Sequence, residues 1–188
     1  AQCSMLQCDT ILGDTPEWWG IMRGPINGRD RIWLWNFSGN RFQMIGVPYT
    51  VDQWVHIALV HQDGILSAYK NGQLVASIPS GATQQPSTGG LPVLSFGGLI
   101  MGARAVTFSG EIDEVALWGV ARTPAQLQQD MTEGLSGGEP GLRAYYRMSN
   151  GSGTVVTDDT GHGWDGVLLD GYQQVPPDGA PLWVPSGA

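Results

Sequence analysis

The chain has 188 residues, room for one domain with a substantial core, and its 28 Gly and 12 Pro in a sequence still 41% hydrophobic require many short elements joined by many turns. Nine Lys and Arg against 17 Asp and Glu leave a net charge of −8, which excludes a nucleic-acid partner and disfavours anionic membrane surfaces. No stretch approaches the roughly 18 apolar residues of a membrane span, and the opening AQCSMLQCDT lacks the basic start and apolar run of a signal peptide.

The two cysteines, Cys3 and Cys8, fall within the first ten residues. On one strand they point to opposite faces, so the spacing favours two packed thiols over a bridge and matches no metal-binding pattern. Period-2 alternation then predicts strands over 17–23, 30–36 and 41–46, with turns at 27–30 and 38–40. The segment 54–61 (WVHIALVH) alternates cleanly. Asp63-Gly64 leads it into a strand over 65–70, and Asn71-Gly72 leads that into one over 73–78. Asn-Gly between alternating hydrophobic runs is the strongest short-range hairpin signal, so a three-strand meander is expected here.

A Gly/Pro/Ser/Thr-rich loop over 79–92 precedes strands at 93–101 and 106–118. One helix follows: Thr123 is placed as N-cap and Pro124 at N1. Ala125, Leu127, Met131 and Leu135 are its apolar positions, and Gly137-Gly138 is its end. Strands resume over 142–148, near 154–157 and at 164–169, and a Pro/Gly-rich tail over 170–188 is expected to be anchored by Trp183. The pattern reads as one all-β domain over 1–169 plus a tail that packs on it or completes a sheet edge. No internal repeat is present.

Three stretches carry a family likeness. They are WVHIALVHQDGILSAYKNGQLV at 54–75, FSGEIDEVALW at 108–118 with the following ARTPAQL, and GLRAYYRM with GSGTVVTDDTGHGWDG within 141–166. In order and spacing they resemble the laminin-G-like jelly roll of the concanavalin A-like lectin and glucanase superfamily. The resemblance implies a two-sheet antiparallel jelly-roll sandwich with one short helix, secreted or displayed at a cell surface. Two departures stand out. The opening Phe-Asp-Gly strand of such domains is missing, so residues 4–12 stand in for at most the second strand and a sheet edge is expected to lie open. Trp164 also occupies a position that is usually small and polar.

The resemblance raises a glucanase reading, because related enzymes carry Glu-x-Asp-x-x-Glu on one strand and retaining hydrolysis needs two carboxylates about 5 Å apart. Glu111 and Asp113 match, but Ala116 holds the third position and Glu114 points to the other face, so no enzyme is expected. His56 is read as a hydrogen-bonded core residue, His61 as a strand-end residue and His162 as a turn residue. The family also implies one structural calcium ion, with Asp158, Asp159 and Asp165 as its candidate ligands; the bland reading of that turn is Asx-turn chemistry.

For ligand binding, exposed aromatic faces stack on sugar C–H surfaces, and Trp164, Tyr49, Trp18 and Trp19 are the candidates. Trp54, Trp118, Trp33 and Trp35 are assigned to packing. The sequons at Asn36 and Asn150 read as turn chemistry. The expected function is non-catalytic extracellular recognition of carbohydrate or another extracellular macromolecule. The alternative is an assembly module pairing with a neighbouring subunit through the open edge.

Overall fold

In the computed structural model, the residues described are 9–15, 19–26, 28–38, 41–81, 93–101, 104–168 and 182–184. Cys3, Cys8, Trp18, the 82–92 loop and most of the tail lie outside them. The chain forms two compact units, one from residues 1–109 and 123–131, the other from 110–122 and 132–188.

The first unit is built on β1 (Asp9–Thr15), β2 (Trp19–Ile26), β3 (Arg29–Ser38), β4 (Arg41–Val47), β5 (Ile57–Gln62), β6 (Ile65–Lys70), β7 (Gln73–Pro79), β8 (Val93–Phe96), β9 (Gly98–Met101) and β10 (Arg104–Thr107). Five strands pair in the order β4-β3-β2-β1-β8, three in the order β5-β6-β7, and β9 pairs with β10. The pairings are antiparallel. The meander read from Asn71-Gly72 is present. Asn71 (φ 49°) and Gly72 (φ 72°) both take the left-handed conformation that this two-residue turn needs. A Cβ on Gly72 would also stand 2.4 Å from Gln128 Cγ, so glycine is required twice over.

Alternation decides the core. Ile21, Ile32, Leu34, Ile45 and Val47 from the larger sheet pack with Leu66 and Ala68 from the smaller, and Ile57, Leu59, Ala76 and Ile78 surround them. Two sheets facing each other over apolar side chains make a sandwich. On the opposite face of the larger sheet, Met22 and Trp35 form a second cluster with Ile26, Trp33 and Met44. Trp33 and Trp35 therefore share one face, as the pattern predicts, and are packing residues.

Several expectations require correction. The opening edge is covered over Leu12–Thr15, where β1 pairs with β2 on one side and β8 on the other. The strand expected over 93–101 divides at Gly97 (φ 70°). The one expected over 106–118 divides into β10 and β11 (Val115–Trp118), since Glu114 (φ 55°) departs from extended geometry. Strand β5 begins only at Ile57, which leaves Trp54 in the preceding loop and 45% exposed rather than in the core. Asn36 is not a turn residue: it is 1% exposed within β3, where its amide exchanges hydrogen bonds with Ser80 Oγ at 2.7 and 3.0 Å. Its burial removes it as a glycosylation acceptor.

Helix α1 (Pro124–Glu133) starts as read, and more fully. The Thr123 N–H donates to Gln126 Oε1 at 2.9 Å while the Gln126 N–H donates to Thr123 Oγ1 at 3.3 Å, a reciprocal capping box. It stops earlier than expected: Gly134 (φ 71°) ends it before Leu135, and of the four apolar positions only Leu127 is buried. No helix among the described residues is long and apolar enough to cross a membrane.

His56 also differs from its expected role. Its backbone is tied to the meander: its carbonyl accepts from Asn71 N at 2.8 Å and its N–H donates to Asn71 Oδ1 at 3.0 Å. Its ring Nδ1, however, is buried with no hydrogen-bond partner among the described residues. Burial pulls the imidazole below its ordinary pKa, partly opposed by the charge of Asp130. The unfolded chain therefore binds a proton at His56 more readily than the folded one. This contribution to stability is complete above the ordinary histidine pKa of about 6.5 and is lost as pH falls through and below it. Thermal unfolding should accordingly show a lower Tm at pH 5 than at pH 7.5, with a shallower slope in His56→Phe. An unchanged slope in that variant would contradict this assignment.

Candidate functional site

The second unit is built on β11, β12 (Leu142–Tyr146), β13 (Val155–Val156) and β14 (Gly166–Val167). Strand β11 pairs with β12 and β13 with β14, both antiparallel. Leu142, Ala144, Tyr145, Tyr146 and Val156 are buried. Trp183 is anchored as the sequence predicts: its indole Nε1 donates to Gly153 O at 2.9 Å.

Between β13 and β14 runs the acidic turn, and Asp158 organises it. The residue is 4% exposed. Oδ1 accepts from the Tyr145 N–H at 3.2 Å, the Thr160 N–H at 3.1 Å and the Thr160 hydroxyl at 2.7 Å. Oδ2 accepts from the Trp164 N–H at 3.3 Å. Burial alone would raise this carboxyl's pKa, but the Thr160 side chain and the three N–H groups outweigh it and hold the group below the usual range. The N–H of Asp158 donates to Asp165 Oδ1 at 2.8 Å, and Asp159 Oδ2 accepts from the Arg147 N–H at 3.3 Å. Part of this is the Asx-turn, since Asp158 binds the N–H two residues on. The contacts from Tyr145 and Trp164 go beyond it.

Those contacts determine what the acidic residues can hold. Oδ1 of Asp158 accepts three hydrogen bonds and Oδ2 one, so these donors supply much of the positive charge that the carboxylate faces. Among the described residues no three His, Cys, Asp or Glu side chains converge on a point that could take a metal.

The candidate aromatics are placed unequally. Trp164 is 56% exposed. Its backbone is held at both ends, by its N–H on Asp158 and by its carbonyl accepting from the Tyr146 hydroxyl at 2.8 Å. Tyr49 is half-buried against the first unit's core. Its hydroxyl accepts from Arg23 Nε at 2.6 Å and donates to Asp30 Oδ2 at 2.8 Å. Trp19 is half-buried at the start of β2, opposite Asn36, and Trp18 is outside the described residues. Trp118 is half-buried and carries the Arg122 guanidinium 4.0 Å from its ring centroid. Trp54 is the exposed aromatic that the alternation argument missed.

The catalytic lure is dispersed. Glu111 and Asp113 precede β11, with Glu111 exposed and Asp113 half-buried, and Ala116 pairs with Tyr145 inside the ladder. The Glu114 carboxylate accepts the Tyr145 hydroxyl. Burial and this hydrogen bond push the Tyr145 phenol up to about 12. The Arg147 guanidinium lies 5.4 Å from the same ring's centroid and donates to Leu135 O at 3.0 Å. Sequence reasoning placed Glu114 on a strand and missed this cluster, because nothing in the residue pattern marks the positive φ of Glu114.

A laminin-G family profile, described as the concanavalin A-like lectin/glucanases superfamily, matches residues 9–128. The chain belongs to that superfamily. The all-β sandwich with one short helix follows its fold. Mouse pappalysin-1 is 32% identical over 135 residues, and human pappalysin-1 is 30% identical over the same length. Both matches cover 65% of this chain and only 8% of the relative. A crystal structure of a Bacteroides ovatus protein assigned as carbohydrate binding superposes with a TM-score of 0.66 at 26% identity, over 82% of this chain and 46% of that one.

Replacing Asp158 with Ala strands at least three buried or half-buried donors, so destabilisation of roughly 2–4 kcal/mol is expected by chemical denaturation. Asp158→Asn should fall between, because its amide presents donors where N–H groups already point. The wild-type Tm should not respond to chelator. A fall on chelation would show that a cation, and not these donors, holds the turn.

Proposed function

We propose that the chain is a non-catalytic recognition domain that works outside the cell and binds carbohydrate through the turn carrying Trp164. The observation that carries this reading is the combination of an exposed indole and a backbone fixed at both of its polar groups. A flat aromatic face stacks on the C–H surface of a sugar ring, and a residue whose backbone is already fixed has less freedom to lose on binding. Membership of a lectin-containing superfamily and the carbohydrate assignment of the Bacteroides ovatus neighbour support the ligand class. The laminin-G-like resemblance supports the extracellular setting.

The absence of catalysis is argued from Ala116 at the third motif position and from Glu111 and Asp113 lying ahead of the strand that would align them. A net charge of −8 favours neutral over polyanionic glycans. The assembly alternative rests on an open edge beside residues 4–12; β8 pairs with β1 only over Leu12–Thr15, and residues 4–8 lie outside the described residues, so light scattering is its test.

Affinity gel electrophoresis in neutral polysaccharides (laminarin, xylan and galactomannan) tests the reading. The wild type should be retarded by at least one of them, and Trp164→Ala should weaken that retardation about tenfold or more. Free migration of the wild type through all of them would overturn it.

A further inference from the structure

Two residues before Trp164, the same turn presents a second group whose chemistry is fixed by its surroundings. His162 is exposed, but one side of its ring is committed. Nδ1 lies 2.9 Å from Arg143 O and 3.0 Å from Thr160 Oγ1. A carbonyl oxygen can only accept, so Nδ1 carries the proton and donates to it. The Thr160 hydroxyl gives its own proton to Asp158 Oδ1 at 2.7 Å and is thereby left to accept at this junction. The His162 N–H also donates to Thr160 Oγ1 at 3.3 Å, which fixes the residue's backbone to the same hydroxyl. With Nδ1 protonated, the neutral ring has one form only, and its Nε2 is an unprotonated acceptor.

Thr160 and Asp158 join this histidine to the tryptophan, because Asp158 Oδ2 receives the Trp164 N–H. One hydrogen-bonded hub therefore holds the backbone of an exposed tryptophan and sets the tautomer of a histidine two residues away. An aromatic face takes the apolar side of a sugar ring, while a lone pair selects a group that donates. Among the substituents of neutral sugars, that group is a hydroxyl or an acetamido N–H; a carboxylate or sulfate offers only acceptors.

We propose that His162 is a specificity-determining residue of this site, accepting a hydrogen bond at Nε2 from a hydroxyl or acetamido N–H of a neutral sugar stacked on Trp164. This rests on the carbohydrate reading above. It adds the polarity of the second contact and the exclusion of substituents that cannot donate.

The test has two arms that fail separately. A long-range ¹H–¹⁵N spectrum of the labelled chain at pH 8, with the His162 signals assigned from His162→Ala, reads the tautomer without any ligand. The expected result is a protonated Nδ1 and a pyridine-like Nε2; a protonated Nε2 overturns the proposal whatever the chain binds. In the second arm, the polysaccharide that retards the wild type is run against His162→Ala, with the variant's Tm measured alongside. The expected loss is about fivefold, the size of one neutral hydrogen bond, with a folded variant. The Nε2 resonance should also shift on adding the oligosaccharide of that polymer. Unchanged retardation in His162→Ala while Trp164→Ala loses it overturns the role of His162 alone, whereas no retardation of the wild type overturns the carbohydrate reading first.

Discussion

A carboxylate taken out of water must find donors, and the second unit is arranged around one that does. Asp158 collects the N–H of Tyr145 from β12, the N–H and hydroxyl of Thr160 beside it and the N–H of Trp164 across the turn. Without those donors the ionised group would be far costlier to bury. Conversely, without the carboxylate these donors would lose their acceptor. The mutual requirement sets the path of the chain between β13 and β14 and holds the Trp164 backbone in place while its side chain stays in solvent. Glycines contribute where backbones approach closely: a Cβ on Gly137 would lie 2.2 Å from Asp159 O.

The first unit follows from a different constraint, the two-residue period of strands. Ile32 and Leu34 face the smaller sheet while Trp33 and Trp35 face away from it, so β3 is apolar on both sides. A strand of that kind must sit inside a sheet, and β3 does, between β2 and β4. Gly46 on β4 leaves room for this arrangement: a Cβ there would come within 2.7 Å of the Trp33 ring. The Asn36–Ser80 pair buries two polar side chains that satisfy each other.

Much of the fold was legible because its signals are local. Alternation and Asn-Gly at 71–72 define the meander, and Thr123 with Pro124 marks the helix start. The failures occur where contacts distant in sequence override a local pattern. Asn36 looks like a turn residue until Ser80, 44 positions away, is brought against it. Trp54 continues the alternation of 55–61 but precedes the strand. Glu114 interrupts a run that reads as one strand, and its partner Tyr145 comes from β12. For the candidate site, the sequence distinguished Trp164 by its departure from the family pattern, and it grouped the three aspartates correctly in one turn. It had no means of showing that the oxygens of Asp158 point at N–H groups, since that depends on where β12 runs. The alignment of His162 on Arg143 O was hidden for the same reason.

The chain is a member of the concanavalin A-like lectin/glucanase superfamily, and in its second unit one buried carboxylate holds the turn proposed here for recognition. Backbone amide mapping tests it most directly. In ¹H–¹⁵N spectra of the chain titrated with a neutral oligosaccharide that it retains, the largest shifts should fall on residues 160–165 and the Trp164 indole, with the rest of β12 and the first unit little changed. Shifts centred on the Trp54 loop or elsewhere in the first unit, with the 160–165 signals unmoved, would contradict the account.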